Sequence, residues 1–171
     1  MSGPDRHAES RNVLESILRK IPGFRGYLEK EYRRESDHLA RMWLADELQK
    51  CKSRLDDWQR SMLDAGQIDL LASCERLRGR IDGLQSRVKG AMRGYSGFFD
   101  YVRVDEAMLD QIYQLDRELV DEASSLLHAA ESLPSAEGTP DDRLRRIGER
   151  VEELSRRFDH RSQLLKGLND S

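Results

Sequence analysis

The sequence predicts an all-α protein: an antiparallel, up-down four-helix bundle of coiled-coil character, with an additional short N-terminal helix. Three observations carry this. Charged residues make up 36% of the chain and apolar residues 37%, the balance of long amphipathic helices rather than of a mixed fold. Apolar residues recur at heptad spacing over most of the length. No segment alternates with period two, and no Asn-Gly hairpin signal occurs. So much charge raises disorder as a rival reading. A net charge of only −3 and the regular apolar spacing argue against it.

The 171 residues are read as one domain, with residues 1–5 as a disordered tail. The first helix spans about 6–20, with Val13, Leu14, Ile17 and Leu18 on one side. It stops at IPGFRG, residues 21–26, where Pro22 disfavours helix at Ile21 and two glycines permit a turn. The second helix spans about 27–65. Its stripe Leu44, Leu48, Cys51, Leu55, Trp58, Met62 keeps a 4-3-4-3-4 spacing. Glu29–Arg33, Asp46–Lys50 and Asp56–Arg60 are expected to pair on its surface, and Gly66 to end it.

The third helix spans about 68–94. From Leu70 to Tyr95 its stripe runs seven heptad steps without an error. Glycines at 79, 83 and 90 weaken it and are expected to allow close helix approach. The fourth helix, about 105–133, has a broad apolar face built on Met108, Ile112, Leu115, Leu119 and Leu126, which implies more than one neighbour. The fifth, about 140–168, starts with Thr139 as N-cap and Pro140 at the first helical position. Its stripe from Leu144 to Leu168 is broken only by Arg161. Short connections make sequential helices antiparallel neighbours.

This topology gathers two Gly-aromatic stretches at one pole. PGFRGY contributes Phe24 and Tyr27; RGYSGFFDY contributes Tyr95, Phe98, Phe99 and Tyr101. Six of the eleven aromatic residues then share one end of the bundle. The stripe of the second helix also fails at this end. Continued backward from Leu44, it meets Arg41, Asp37 and Arg34. An alternative register through Leu28, Tyr32, Leu39 and Met42 is apolar, so the stripe is expected to shift and to meet the N-terminal helix.

Two roles for the pole compete. In one, the aromatics plug the open end of the core, while Arg34, Asp37 and Arg41 pair with acids such as Asp105 and Asp110. In the other, Phe24, Arg25, Tyr27, Phe98, Phe99 and Tyr101 are partner-binding anchors of a non-enzymatic interaction or scaffold module, since aromatic and Arg residues are enriched at such contacts. The partner is then another protein, or a second copy of the chain. A peripheral membrane contact through the Phe98-Phe99 loop is a third use of the same residues, with only a thin basic flank to support it.

Catalytic and metal-binding chemistry has little foothold. Glu35 and His38 form an E-x-x-H on a helix, the spacing of carboxylate-bridged metal bundles. The frame lacks a second such motif, so a metal- or ligand-dependent bundle enzyme is the alternative reading, and no cofactor is expected. No G-x-S-x-G, P-loop or G-x-G-x-x-G occurs. The seven arginines between 143 and 161 are interleaved with acids, which fits an ion-paired face better than a nucleic-acid stripe. Cys51 and Cys74 read as reduced core residues about 10 Å out of register. With no secretory signal visible and no run of 18 apolar residues, the expected compartment is the cytoplasm.

Overall fold

In the computed structural model, residues 3–100 and 103–167 are described, and they are helical with no strand among them. The helices are α1 (Gly3–Lys20), α2 (Lys30–Asp64), α3 (Leu71–Gly90), α4 (Ser96–Asp100), α5 (Glu106–Glu131) and α6 (Pro140–Gly167). Single 3-10 turns at Ile68–Leu70 and Ala91–Gly94 flank α3.

Local chemistry sets most boundaries. After α2, Gly66 takes φ +80°, a left-handed conformation that costs other residues steric energy. The Gly66 N–H bonds to Leu63 O and the Gln67 N–H to Met62 O, the paired closure of a Schellman turn. Before α5, the Asp105 side chain accepts from the Met108 N–H at 2.7 Å. Before α6, Thr139 Oγ1 accepts from the Asp142 N–H while Asp142 Oδ2 accepts from the Thr139 N–H. That reciprocal capping box makes Thr139 the N-cap, as its sequence position predicts.

Four expectations are corrected. Residues 3–5 belong to α1 rather than to a tail. The second helix begins at Lys30, not at 27, because Tyr27 and the residues around it are held in a non-helical strap. The interval read as a loop after Arg93 contains the short helix α4. Gly79, Gly83 and Gly90 do not bring helices together: a Cβ at any of them would meet nothing within 4 Å.

Side-chain pairs give the helix directions. Gln85 donates to Ala45 O, Lys52 pairs with Asp82, and Gln59 donates to Glu75, so α2 and α3 run antiparallel. Arg157 pairs with Glu118 and Arg150 with Glu122, so α5 and α6 are antiparallel too. Arg80 reaches Gly148 O and Arg87 reaches Asp159, which places α3 and α6 side by side and parallel. The α2 helix also packs on α5, and α1 lies on α5.

The interior falls into two apolar clusters. One fills the α2–α3–α5–α6 space from Leu44 and Phe158 toward Trp58 and Leu144. The other, richer in aromatics, joins Val13, Ile17, Ile21, Phe24, Tyr27, Tyr95, Phe98, Phe99, Ile112 and Leu165. Both cysteines are buried and free. Burial, then the Glu47 charge, pushes the Cys51 thiol up to about 12. Burial, then Glu75, raises that of Cys74. Neither thiol is expected to react with Ellman's reagent at mildly alkaline pH until the chain is denatured, when both react. A fast-reacting native thiol would contradict the packing of this cluster.

Candidate functional site

Where the two apolar clusters meet, four charged side chains are enclosed. Asp37 and Arg41 come from α2, Asp116 from α5 and Arg161 from α6, and none is more than 2% exposed. Arg161 is the centre. Its Nε donates to Asp116 Oδ1 at 2.5 Å and its Nη2 to Tyr27 Oη at 3.0 Å. Its Nη1 lies 2.9 Å from Asp37 Oδ1. That last contact is off-line for a hydrogen bond, so these two buried atoms are satisfied by charge rather than by a directed bond. The Tyr27 hydroxyl donates to the other oxygen of Asp116.

Arg41 extends the network to the fourth long helix. Its Nε donates to Asp37 Oδ2 at 2.8 Å, and its Nη1 to Val88 O and Lys89 O at 3.1 and 3.0 Å. Those carbonyls close the C-terminal turn of α3, where a cation also complements the helix dipole. The two carboxylates and two guanidinium groups sum to zero charge. One connected set of bonds thus touches α2, α3, α5, α6 and the strap before α2.

The aromatic plug sits directly on this layer. Tyr27 packs edge-on to Phe24 and Phe98, with centroids 5.3 and 5.4 Å away, and stacks on Tyr113 at 5.6 Å. The Tyr27 N–H donates to Tyr113 Oη at 2.8 Å. Arg33 binds the strap from below: its Nε donates to Tyr27 O at 2.8 Å, and its guanidinium also reaches Leu28 O and Phe98 O. Tyr95 shares a 2.7 Å hydrogen bond with Ser162 of α6.

The environment sets the ionisation. Burial alone would lower the Arg161 pKa, but Asp116, Tyr27 and Asp37 together hold it well above its ordinary value. Burial, then the Asp116 charge, pushes the Tyr27 phenol well above the usual range. Burial raises Tyr95 and Tyr113 as well. A phenol whose folded pKa exceeds its unfolded value of about 10 contributes stability that is complete below pH 10. That stability is lost as pH rises through the folded value. Phenolate absorbance from Tyr27, Tyr95 and Tyr113 is therefore expected to appear only together with loss of helical circular dichroism. Full phenolate formation near pH 10 in a still-helical protein would contradict it.

The sequence-derived site residues divide sharply. Phe24, Tyr27, Phe98 and Phe99 are 3%, 0%, 0% and 2% exposed, so these rings are a plug and offer no outward anchor to a partner or a bilayer. They are enclosed because α4 folds them back onto the strap rather than leaving an open loop. Arg25 is exposed, its guanidinium 4.8 Å above the Tyr32 ring. Tyr101 lies outside the described residues. Glu35 and His38 are both exposed on α2, and no group of three or more His, Cys, Asp or Glu converges on a metal position among the described residues.

The expected ion pairs are also re-sorted. Asp105 caps α5, Asp110 accepts from Ser10, and Arg34 pairs with Asp100, so none of these joins Asp37 or Arg41. The α2 stripe does not shift to Leu28, Tyr32, Leu39 and Met42. It continues inward through Arg41, Asp37 and Arg33, which are buried, while Leu28 is 70% exposed. Arg33, read as half of a surface pair with Glu29, is inside.

Asp116, the residue that binds Arg161 most directly, was missed. Its signal was present: Ile112, Asp116, Leu119, Ala123, Leu126 and Ala130 keep a 4-3-4-3-4 spacing with one polar member. Arg33, Tyr113 and Ser162 carried no comparable mark.

Chemically, the layer is closed. The cavity beside Arg41, Asp116 and Arg161 has a volume of about 20 Å³, room for roughly one water molecule. Its wall is otherwise apolar, from Ile21, Trp43, Leu44, Leu119, Val120 and Phe158. No helix among the described residues is long and apolar enough to cross a membrane. No protein-family model matches the chain, and no curated protein or solved structure is detectably similar to it.

Proposed function

We propose that this chain is a non-enzymatic interaction or scaffold module working in the cytoplasm, built as an antiparallel up-down bundle of α2, α3, α5 and α6 with α1 laid alongside. One observation carries the reading. The chemically strongest residues in the interior form a closed, charge-neutral layer that links all four long helices. A layer with room for one water is a device for fixing helix register, a use in which buried polar groups are attested. Long helices held in fixed register present surface residues at constant separation, which is what a scaffold requires.

The contact surface in this reading is the rim around the plug rather than the plug itself. Arg25, Leu28, Arg34 and Asp100 are exposed there, and Leu28 is the most exposed large apolar side chain among the described residues. Arg34 lies 4.7 Å over the Phe99 ring and pairs with Asp100 at 3.2 Å, so the rim adjoins the plug directly. A protein partner that buries Leu28 against this Arg-rich edge fits the chemistry of interface anchors.

The test compares three baits in retention of protein from native lysate: wild type, Arg25→Glu/Leu28→Asp at the rim, and Ile68→Asp at the far end. All three should melt alike, since the altered residues are exposed. Loss of one retained protein by the rim variant alone supports the reading. Equal retention by all three baits overturns the rim assignment.

A further inference from the structure

Among the described residues, α1 is joined to the rest of the molecule chiefly by apolar packing. It packs on α5, and Ser10 Oγ donates to Asp110 Oδ1 at 2.6 Å. The ties across α2, α3, α5 and α6 are numerous and partly buried, and no described side chain of α1 joins the charge layer. What holds it is an apolar row of Val13, Ile17 and Ile21 at i, i+4 and i+8, in the same cluster as Leu109, Ile112, Tyr113 and Val120 of α5.

The connection is equally specific. Ile21 still closes a helical bond to Ile17 O, so it moves with α1. Phe24 is already seated against Tyr27, and the Arg25 N–H is held by Ser36 Oγ. Between these fixed points lie Pro22 and Gly23, both exposed, with Gly23 at φ +81°. A two-residue reversal through a left-handed glycine is a short, constrained hinge, and such hinges favour exchange of a terminal element between copies.

We propose that α1 is an exchangeable arm: by straightening at Pro22-Gly23, the α1 of one copy takes the same seat on α5 of a second copy, giving a closed two-fold dimer. The occupant is set by complementarity already present in the fold. The seat fits Val13, Ile17 and Ile21 in this spacing, with a serine one turn earlier to meet Asp110. Everything from Phe24 onward stays in place, so the charge layer and the plug survive the exchange. The rim reading of function does not depend on this, because the rim lies on the strap, α2 and α4.

The experiment uses the full chain carrying Ser10→Cys and Asp110→Cys, with Cys51 and Cys74 left as inert buried thiols. Two differently tagged preparations are mixed, incubated and treated with a short bis-maleimide. The expected product is a covalent dimer carrying both tags, increasing with protein concentration. A link found only within single chains at every concentration overturns the proposal. Hydrogen exchange on the unmodified protein gives an independent reading. The α1 amides should exchange as one set, at least about tenfold faster than those of α6, as expected of a separately opening unit. Exchange of α1 at the α6 rate would equally overturn it.

Discussion

Replacing Asp116 by Asn is expected to lower the melting temperature by roughly 6–20 °C. The change keeps the shape of the side chain and removes its charge. Arg161 would then keep Asp37 alone as a carboxylate partner, at a site 1% exposed. Breaking a buried ion pair by removing one partner costs about 3–5 kcal/mol, because the remaining charge has no water to return to. In a chain of this length each kcal/mol moves the melting temperature by about 2–4 °C. The Tyr27 hydroxyl loses an anionic acceptor in the same substitution, so the strap before α2 is expected to loosen too. Thermal unfolding followed by circular dichroism checks this. A shift under about 1 °C would mean that the layer contributes little.

The second large effect lies in the plug. Phe98→Ala is expected to destabilise the protein by about 3–5 kcal/mol, the range for truncating a buried phenylalanine. Phe98 is fully enclosed, edge-on to Tyr27, tilted against Phe99 at 5.7 Å and facing the Arg33 guanidinium. Its loss leaves a cavity that neighbours on the strap, α2 and α4 would all have to move to fill. Leu28→Ala, on the strap itself but 70% exposed, should change stability by no more than about 0.5 kcal/mol. Urea denaturation separates the two: the midpoint should fall for Phe98→Ala and stay for Leu28→Ala, with the slope unchanged in both. Similar midpoints for the two variants would contradict the assignment of the plug to the core and Leu28 to the rim.

Much of the helical order was legible because it rests on local rules. Heptad spacing located the long helices, Thr139-Pro140 located the start of α6, and Gly66 located the end of α2. What the rules did not anticipate was where a single register turns polar and stays inside. The α2 positions 37 and 41, α5 position 116 and α6 position 161 follow the core spacing, yet carry charges. Read one helix at a time, each looks like a break in a stripe. Together they are mutual partners, and that pairing is a tertiary fact no single helix contains. The same limit explains the plug. The concentration of rings at one end follows from topology, but their inward orientation follows from α4 and from the backbone carbonyls held by Arg33.

The most direct test of the central claim is a double-mutant cycle on Asp116 and Arg161, using Asp116→Leu, Arg161→Leu and the double variant. If the charge layer is a mutually dependent unit, each single change is severe and the double costs less than their sum. The predicted coupling is at least about 2 kcal/mol, within the range for residues in one buried network. Additive losses, with coupling below about 0.5 kcal/mol, would show that the two side chains contribute independently and that the layer does not act as a register lock.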